Sequence, residues 1–261
     1  MKLRALQKQS PSTILISLCL AFAAVSSSCG GGSSSQDSSP TPPTPTTATL
    51  TVVLASPSSS PVSVSVDGQV LAENLSYMTS TNPLIVPSGQ HQLLLQTPSG
   101  PGGNPDTLNL EPGSRTTALL IFPAIFGPIW TVVTDDTTPA PNGMAKIRIA
   151  DYANNAPTAL PNDVYIVPFG GGPTGTPAIT HFDSSQDGTY QALAPGNYDI
   201  YFVLDQTAPG TQPQTVIYHT GSLQLAAGQN RSVYFLTTCQ VSPSGAVIPS
   251  GYTTVTVDDL N

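Results

Sequence analysis

Two pairs of adjacent carboxylates, Asp135-Asp136 and Asp258-Asp259, are the densest ionisable groups in this chain. Paired acids could act as general acid and base, or hold calcium through oxygen. Each pair closes an alternating run, Trp130-Thr-Val-Val-Thr and Thr253-Thr-Val-Thr-Val, so both are expected at solvated strand exits, where like charges are tolerated. The three histidines, His91, His181 and His219, fall in no HxH or HExxH spacing, and CxxC is absent, so no zinc motif is present. A GxSxG nucleophile elbow is absent too. Asp183-Ser-Ser-Gln-Asp-Gly (183–188) is oxygen-rich but lacks the twelfth-position Glu of a calcium loop. Gly170–172 has no Lys or helix after it to make a phosphate cradle. Tyr190, Tyr198, Tyr201 and Phe202 could form a ligand platform, but core packing with hydroxyls at the rim is the simpler expectation. No catalytic set, metal or cofactor is expected.

The elements that carry these residues have a period of two. Val62, Val64 and Val66 alternate with Ser63 and Ser65, so one face is buried and the other wet. Asp67-Gly68 supplies a hairpin turn, since glycine tolerates the positive φ it requires. Asp163-Val-Tyr-Ile-Val is a second strand of this kind. Pro87-Ser-Gly and Pro195-Gly each turn the chain into an alternating strand. No helical pattern appears.

The pieces recur in one order. Val-Pro-Ser-Gly-Gln-His-Gln-Leu-Leu-Leu (86–95) matches Leu-Ala-Pro-Gly-Asn-Tyr-Asp-Ile-Tyr-Phe (193–202), and Thr107-Leu-Asn-Leu-Glu-Pro-Gly matches Ser222-Leu-Gln-Leu-Ala-Ala-Gly. The two Asp-Asp strands match as well. We therefore expect an all-β protein of two tandem immunoglobulin-like β-sandwich domains, residues 48–138 and 145–261. The turn-rich linker 137–143 is compatible with a hinge or with a shared core.

Ahead of them, Lys2, Arg4 and Lys8 precede the apolar run 14–25, which at twelve residues is too short to span a bilayer. Small residues and Cys29 follow, the arrangement of an export signal. It resembles a bacterial lipobox, which implies that residues 1–28 are removed and that Cys29 carries lipid. Gly30 in place of Asp after the cysteine implies, by the same resemblance, sorting to the outer membrane. Residues 29–47, rich in Gly, Ser, Thr and Pro, are expected to be a flexible, disordered tether. Loss of the leader removes three of seven basic residues and leaves fifteen acidic ones, a net charge of −11. That argues against a phosphate-neutralising face, so no nucleic-acid partner is expected. Cys19 would leave with the leader and Cys29 would be acylated. Cys239 would then stand alone, without an intrachain disulfide, at a part-buried strand end.

Ala55-Ser-Pro, Pro61-Val, Val66-Asp-Gly, Leu75-Ser-Tyr-Met-Thr-Ser and Val86-Pro-Ser-Gly resemble the domain of unknown function 4397, an all-β module of exported bacterial proteins, commonly in tandem. The resemblance covers about 48–138 well and 145–261 more loosely, through Tyr190, Leu193 to Gly196 and Tyr198. The second unit adds an insertion, 169–177. The family's first strand usually runs through a His and an Asp; here those positions are Leu54 and Ser63. The resemblance implies a fold and no activity.

The expected function is a non-enzymatic lipoprotein of the cell envelope, anchored in the outer membrane and binding or structural in role. Its partners would be the membrane, through the lipid, and a glycan or envelope protein. The candidate contact loops are 99–106, bounded by Ser99 and Asp106, and 169–177, bounded by Phe169 and Pro177. Three alternatives compete: a carbohydrate-binding adhesin, an envelope hydrolase with a dispersed site around His181, and an assembly partner that adds a strand to another protein.

Overall fold

The computed structural model describes residues 46–55, 61–98, 100–102, 105–121, 129–153, 161–184, 186–205, 215–241 and 247–260. The leader, Cys29, the tether through residue 45 and Ser99 lie outside the described residues. The described chain is all-β, and no helix occurs in it.

Ten strands build the first half: β1 (Thr47–Leu54), β2 (Val62–Val66), β3 (Gln69–Leu75), β4 (Thr79–Ser80), β5 (Leu84–Pro87), β6 (Gly89–Thr97), β7 (Gly100–Pro101), β8 (Asp106–Leu110), β9 (Arg115–Ile121) and β10 (Ile129–Asp135). Ten more build the second: β11 (Ala145–Tyr152), β12 (Asn162–Pro168), β13 (Ile179–Phe182), β14 (Gln186–Asp187), β15 (Gln191–Leu193), β16 (Gly196–Leu204), β17 (Val216–His219), β18 (Leu223–Leu225), β19 (Asn230–Val241) and β20 (Val247–Leu260).

These strands form four sheets. Sheet A runs β10-β9-β1-β4 with β5 also on β1, and sheet B runs β3-β2-β6-β7 with β8 also on β6. Sheets C and D repeat those orders ten strands on: β20-β19-β11-β14 with β15 on β11, and β13-β12-β16-β17 with β18 on β16. Each half also has one parallel pair, β1 with β9 and β11 with β19. The order of matching segments in the sequence is thus the order of equivalent strands in space. The Asp67-Gly68 turn joins β2 to β3 with φ of 51° and 78°, the left-handed pair that a two-residue hairpin requires.

Three hydrophobic cores separate the four sheets. Leu50, Val52 and Leu54 of β1 pack with Val64, Leu93 and Leu108 between sheets A and B. Ile147 and Ile149 of β11 pack with Phe202 and Phe235 between sheets C and D, and those two rings stack with centroids 3.8 Å apart. The third core joins the halves: Val53, Leu119, Ile121 and Val133 of sheet A meet Ala150, Tyr152, Tyr234, Leu236, Val255 and Val257 of sheet C. Strands β1, β9 and β11 are consequently buried on both faces. The stacking order is B, A, C, D, with the two sandwiches sharing a core.

The linker between them is fixed in place. The Asn230 amide donates to the carbonyls of Asp136 and Thr138, and Lys146 donates to the Thr138 carbonyl and hydroxyl. No hinge survives at that point, because bending it would break four hydrogen bonds and expose the shared core.

Candidate functional site

The acidic pairs are not solvated turns. Asp135 ends β10 with its side chain buried against sheet C, and Asp259 is 1% exposed near the end of β20. Only Asp136 and Asp258 reach solvent in part. The cause lies in β11, where Lys146, Arg148, Ala150 and Tyr152 share one parity. That parity looks like a wet face in the sequence, but it faces sheet A across the shared core.

Arg148 is the centre of this region. Its Nη2 donates to Asp135 Oδ1 at 2.6 Å and to the Tyr234 hydroxyl at 3.0 Å. Its Nη1 donates to the Thr134 carbonyl and its Nε to Ser232 Oγ, both at 2.9 Å. The Tyr190 ring lies 4.8 Å from the guanidinium, a cation–π contact. Thr117 donates to the second oxygen of Asp135. Ser232 and Tyr190 donate their hydroxyls to Asp259 Oδ2 at 2.7 and 2.8 Å. Lys146 pairs with Asp136 beside them.

The electrostatics follow from burial. Asp259 is pushed up to about 7, first by desolvation and then by the charge of Asp135. Desolvation also raises Asp135, although Arg148 pulls the other way. For Asp136 burial works upward, but hydrogen bonds from Lys146 and Thr138 together hold it at about 2. Asp151, buried at the Asn162 amide, rises to about 6 through desolvation. Asp135 and Asp259 thus flank one guanidinium, and the region is closest to neutral when Asp259 keeps its proton. Both acids are buried among these ionisable groups between the two sheets. Asp135 joins sheet A to sheet C through Arg148, whereas Asp259 is held by Ser232 and Tyr190 on its own side of the joint.

The other candidates lie apart from one another. His91 is buried, with Nδ1 2.7 Å from Asp67 Oδ2 and Nε2 2.8 Å from the Pro87 carbonyl, holding the β2–β3 turn against β6. His219 stacks on Tyr201, with centroids 5.1 Å apart, and contacts the buried Asp199. Of the aromatic set, Phe202 is core, Tyr190 belongs to the Arg148 network, and Tyr198 packs on the core with its hydroxyl on the Ala194 carbonyl. Only Tyr201 faces outward with His219. Among its described residues, the 183–188 segment does not converge on a point. The Asp183 amide is capped by Gln186, and Asp187 accepts from the Tyr152 hydroxyl at 2.8 Å. Cys239 sits in β19 opposite Pro249.

The two proposed contact loops occupy non-equivalent ends of sheets B and D. Of the 99–106 loop, Gly100–Pro101 pairs as β7 with the C-terminal end of β6 and exposed Asp106 caps its own neighbour, Thr107, while residues 99, 103 and 104 lie outside the described residues. Residues 169–177 follow β12, at the opposite end of the equivalent sheet. This second loop is folded onto β16. The Phe169 amide donates to the Asn197 carbonyl, and the Tyr201 hydroxyl donates to the Gly171 carbonyl at 2.9 Å. Phe169 itself is 56% exposed, and Pro177 is half-buried. A Gly-rich loop, an exposed ring and the Tyr201–His219 stack therefore share one region of sheet D.

Residues 48–161 match the family model of a domain of unknown function, DUF4397. The match spans the whole first sandwich and continues through β11. No curated protein matches the chain. Among solved structures, a putative cell adhesion protein from Bacteroides eggerthii DSM 20697 aligns at 10% identity and a TM-score of 0.25, covering 83% of this chain and 96% of its own. Another of the same description, from Parabacteroides distasonis ATCC 8503, aligns at 10% identity and a TM-score of 0.21, covering 81% and 99%. Overlap this low carries no argument about the present chain.

Proposed function

We propose that this chain is a lipid-anchored protein of the bacterial cell envelope that acts by binding and not by turnover. Residues 1–28 direct export, Cys29 takes the lipid, and the tether holds the double sandwich away from the outer membrane. The observation that carries the reading is the use to which the ionisable residues are put. The groups best suited to acid–base chemistry, Asp135, Asp259 and Arg148, are buried in the joint between the sandwiches. What faces solvent on sheet D is an aromatic and Gly-rich rim. Rigid scaffolds that present loops are suited to recognition.

The partner class that best fits that rim is a glycan. An exposed ring such as Phe169 stacks on the apolar face of a sugar, and the uncharged loop 169–177 adds backbone donors and acceptors. An envelope protein remains the second reading, and a net charge of −11 for the mature chain argues against nucleic acid.

The test is protease shaving of intact cells, with mass analysis of the N-terminal peptide and a glycan-array screen of the released body. The reading predicts an acylated peptide beginning at Cys29, and glycan retention that is lost when 169–177 is deleted. An unmodified N-terminus on protein free in the medium would overturn the anchor. Turnover on an ester, glycoside and peptide panel, abolished by His181→Ala, would overturn the binding role.

A further inference from the structure

We propose that Asp163, His181 and Asp205 form a site for one divalent transition-metal ion of the zinc class on sheet D. Each offers a ligand atom, and the three atoms lie within 4.8 Å of one another. They come from three neighbouring elements: β12 carries Asp163, β13 carries His181, and Asp205 directly follows β16. One ion would tie the three together. Tetrahedral zinc, with ligands at about 2.0–2.2 Å, separates them by roughly 3.3–3.6 Å, within reach of this arrangement.

The buried carboxylate is the second observation. Asp205 is 7% exposed, and its Oδ2 has no hydrogen-bond partner among the described residues. His181 Nε2 lies only 2.9 Å from that oxygen, yet the two are not aligned as donor and acceptor. At His219, by contrast, the ring nitrogen and Asp199 are aligned at 3.1 Å. The His181–Asp205 contact is an ion pair without an aligned hydrogen bond, and the two atoms are close enough to share a third partner. A hydrogen bond of 3.2 Å from the His181 amide to Asp163 Oδ1 orients the third ligand.

The first half of the chain is an internal control. Strand register makes Ser63, Asn74 and Pro98 the equivalents of Asp163, His181 and Asp205. Asn74 and His181 both sit where the register slips, with φ of 56° and 52°. Asparagine adopts that conformation readily. The bulge is therefore a property of the fold, whereas the set of two carboxylates and an imidazole is not required by it. The donor types select the ion. An imidazole favours zinc and its neighbours over calcium or magnesium, and two carboxylates neutralise the divalent charge. His181, with its side chain 67% exposed, leaves a coordination position open to water.

The test is calorimetric titration of the untagged, EDTA-treated full chain with zinc chloride, together with zinc-edge X-ray absorption. We expect one equivalent of saturable uptake, an imidazole-plus-oxygen shell, no saturable uptake of calcium, and at least tenfold weaker zinc binding in H181A and D205N. Circular dichroism checks each variant, and D163N decides by the same criterion if either is unfolded. Absence of saturable uptake, a shell without imidazole, or uptake unchanged in a folded H181A would overturn the proposal and leave the three residues as a surface ion pair.

Discussion

Replacing Arg148 with methionine is expected to destabilise the protein by about 3–5 kcal/mol, the cost of breaking a buried ion pair from one side. The variant leaves Asp135 buried without its cation and near Asp259, and it removes the donors to Tyr234, Thr134 and Ser232. For a body of this size the loss corresponds to a fall in Tm of roughly 6–20 °C. The control is the double variant R148M with Asp135→Leu. Exchanging a whole buried pair for apolar groups of similar volume is often neutral or stabilising, so most of the loss should return. Urea midpoints measure both. A single variant within about 1 kcal/mol of the parent would mean that Asp135 is better hydrated than the geometry allows.

The second large effect is on pH. Asp259, at about 7, and Asp151, at about 6, bind their protons more tightly in the folded chain than at the ordinary 3.8. From pH 3.8 up to about 6 for Asp151 and about 7 for Asp259, the unfolded state has released these protons while the folded state retains them. Stability must therefore fall as pH rises through that window, by up to about 1.4 kcal/mol per pH unit for each group. The contribution is complete below 3.8 and gone above 7. For Asp259 alone it is on the order of 4 kcal/mol. Asp136, held at about 2, acts in the opposite sense but only below 3.8, so it does not mask the trend. Denaturant titrations from pH 4.5 to 7.5 should show declining stability, with the slope reduced in Asp259→Asn. A flat or rising profile would contradict the assignment.

Much of the fold was legible. Alternation in 62–66, the Asp67-Gly68 turn and the matched segments of the two halves each rest on local rules of backbone and burial. They survive because a strand with one wet face announces its period. What could not be read this way was the shared core. Strand β11, Ala-Lys-Ile-Arg-Ile-Ala, alternates like an exposed strand, yet both its faces are buried. Its basic residues Lys146 and Arg148 are compensated by Asp136 and Asp135, ten and thirteen positions earlier, and a period of two carries no information about such pairing. One signal was available: Val52-Val53-Leu54 and Leu119-Leu120-Ile121 are apolar on both parities, which marks strands covered on both sides. The acidic pairs do lie at strand ends, but one member of each, Asp135 and Asp259, is buried there while Asp136 and Asp258 stay partly exposed. The Asp163–His181–Asp205 set has no sequence signature, because its members are 18 and 24 residues apart and meet only through strand register.

The core between sheets A and C makes one body of two sandwiches. Differential scanning calorimetry of the mature chain tests this directly. A shared core predicts a single endotherm whose calorimetric and van't Hoff enthalpies agree. Two resolved endotherms, each of about half the total enthalpy, would show that the sandwiches unfold independently and would contradict it.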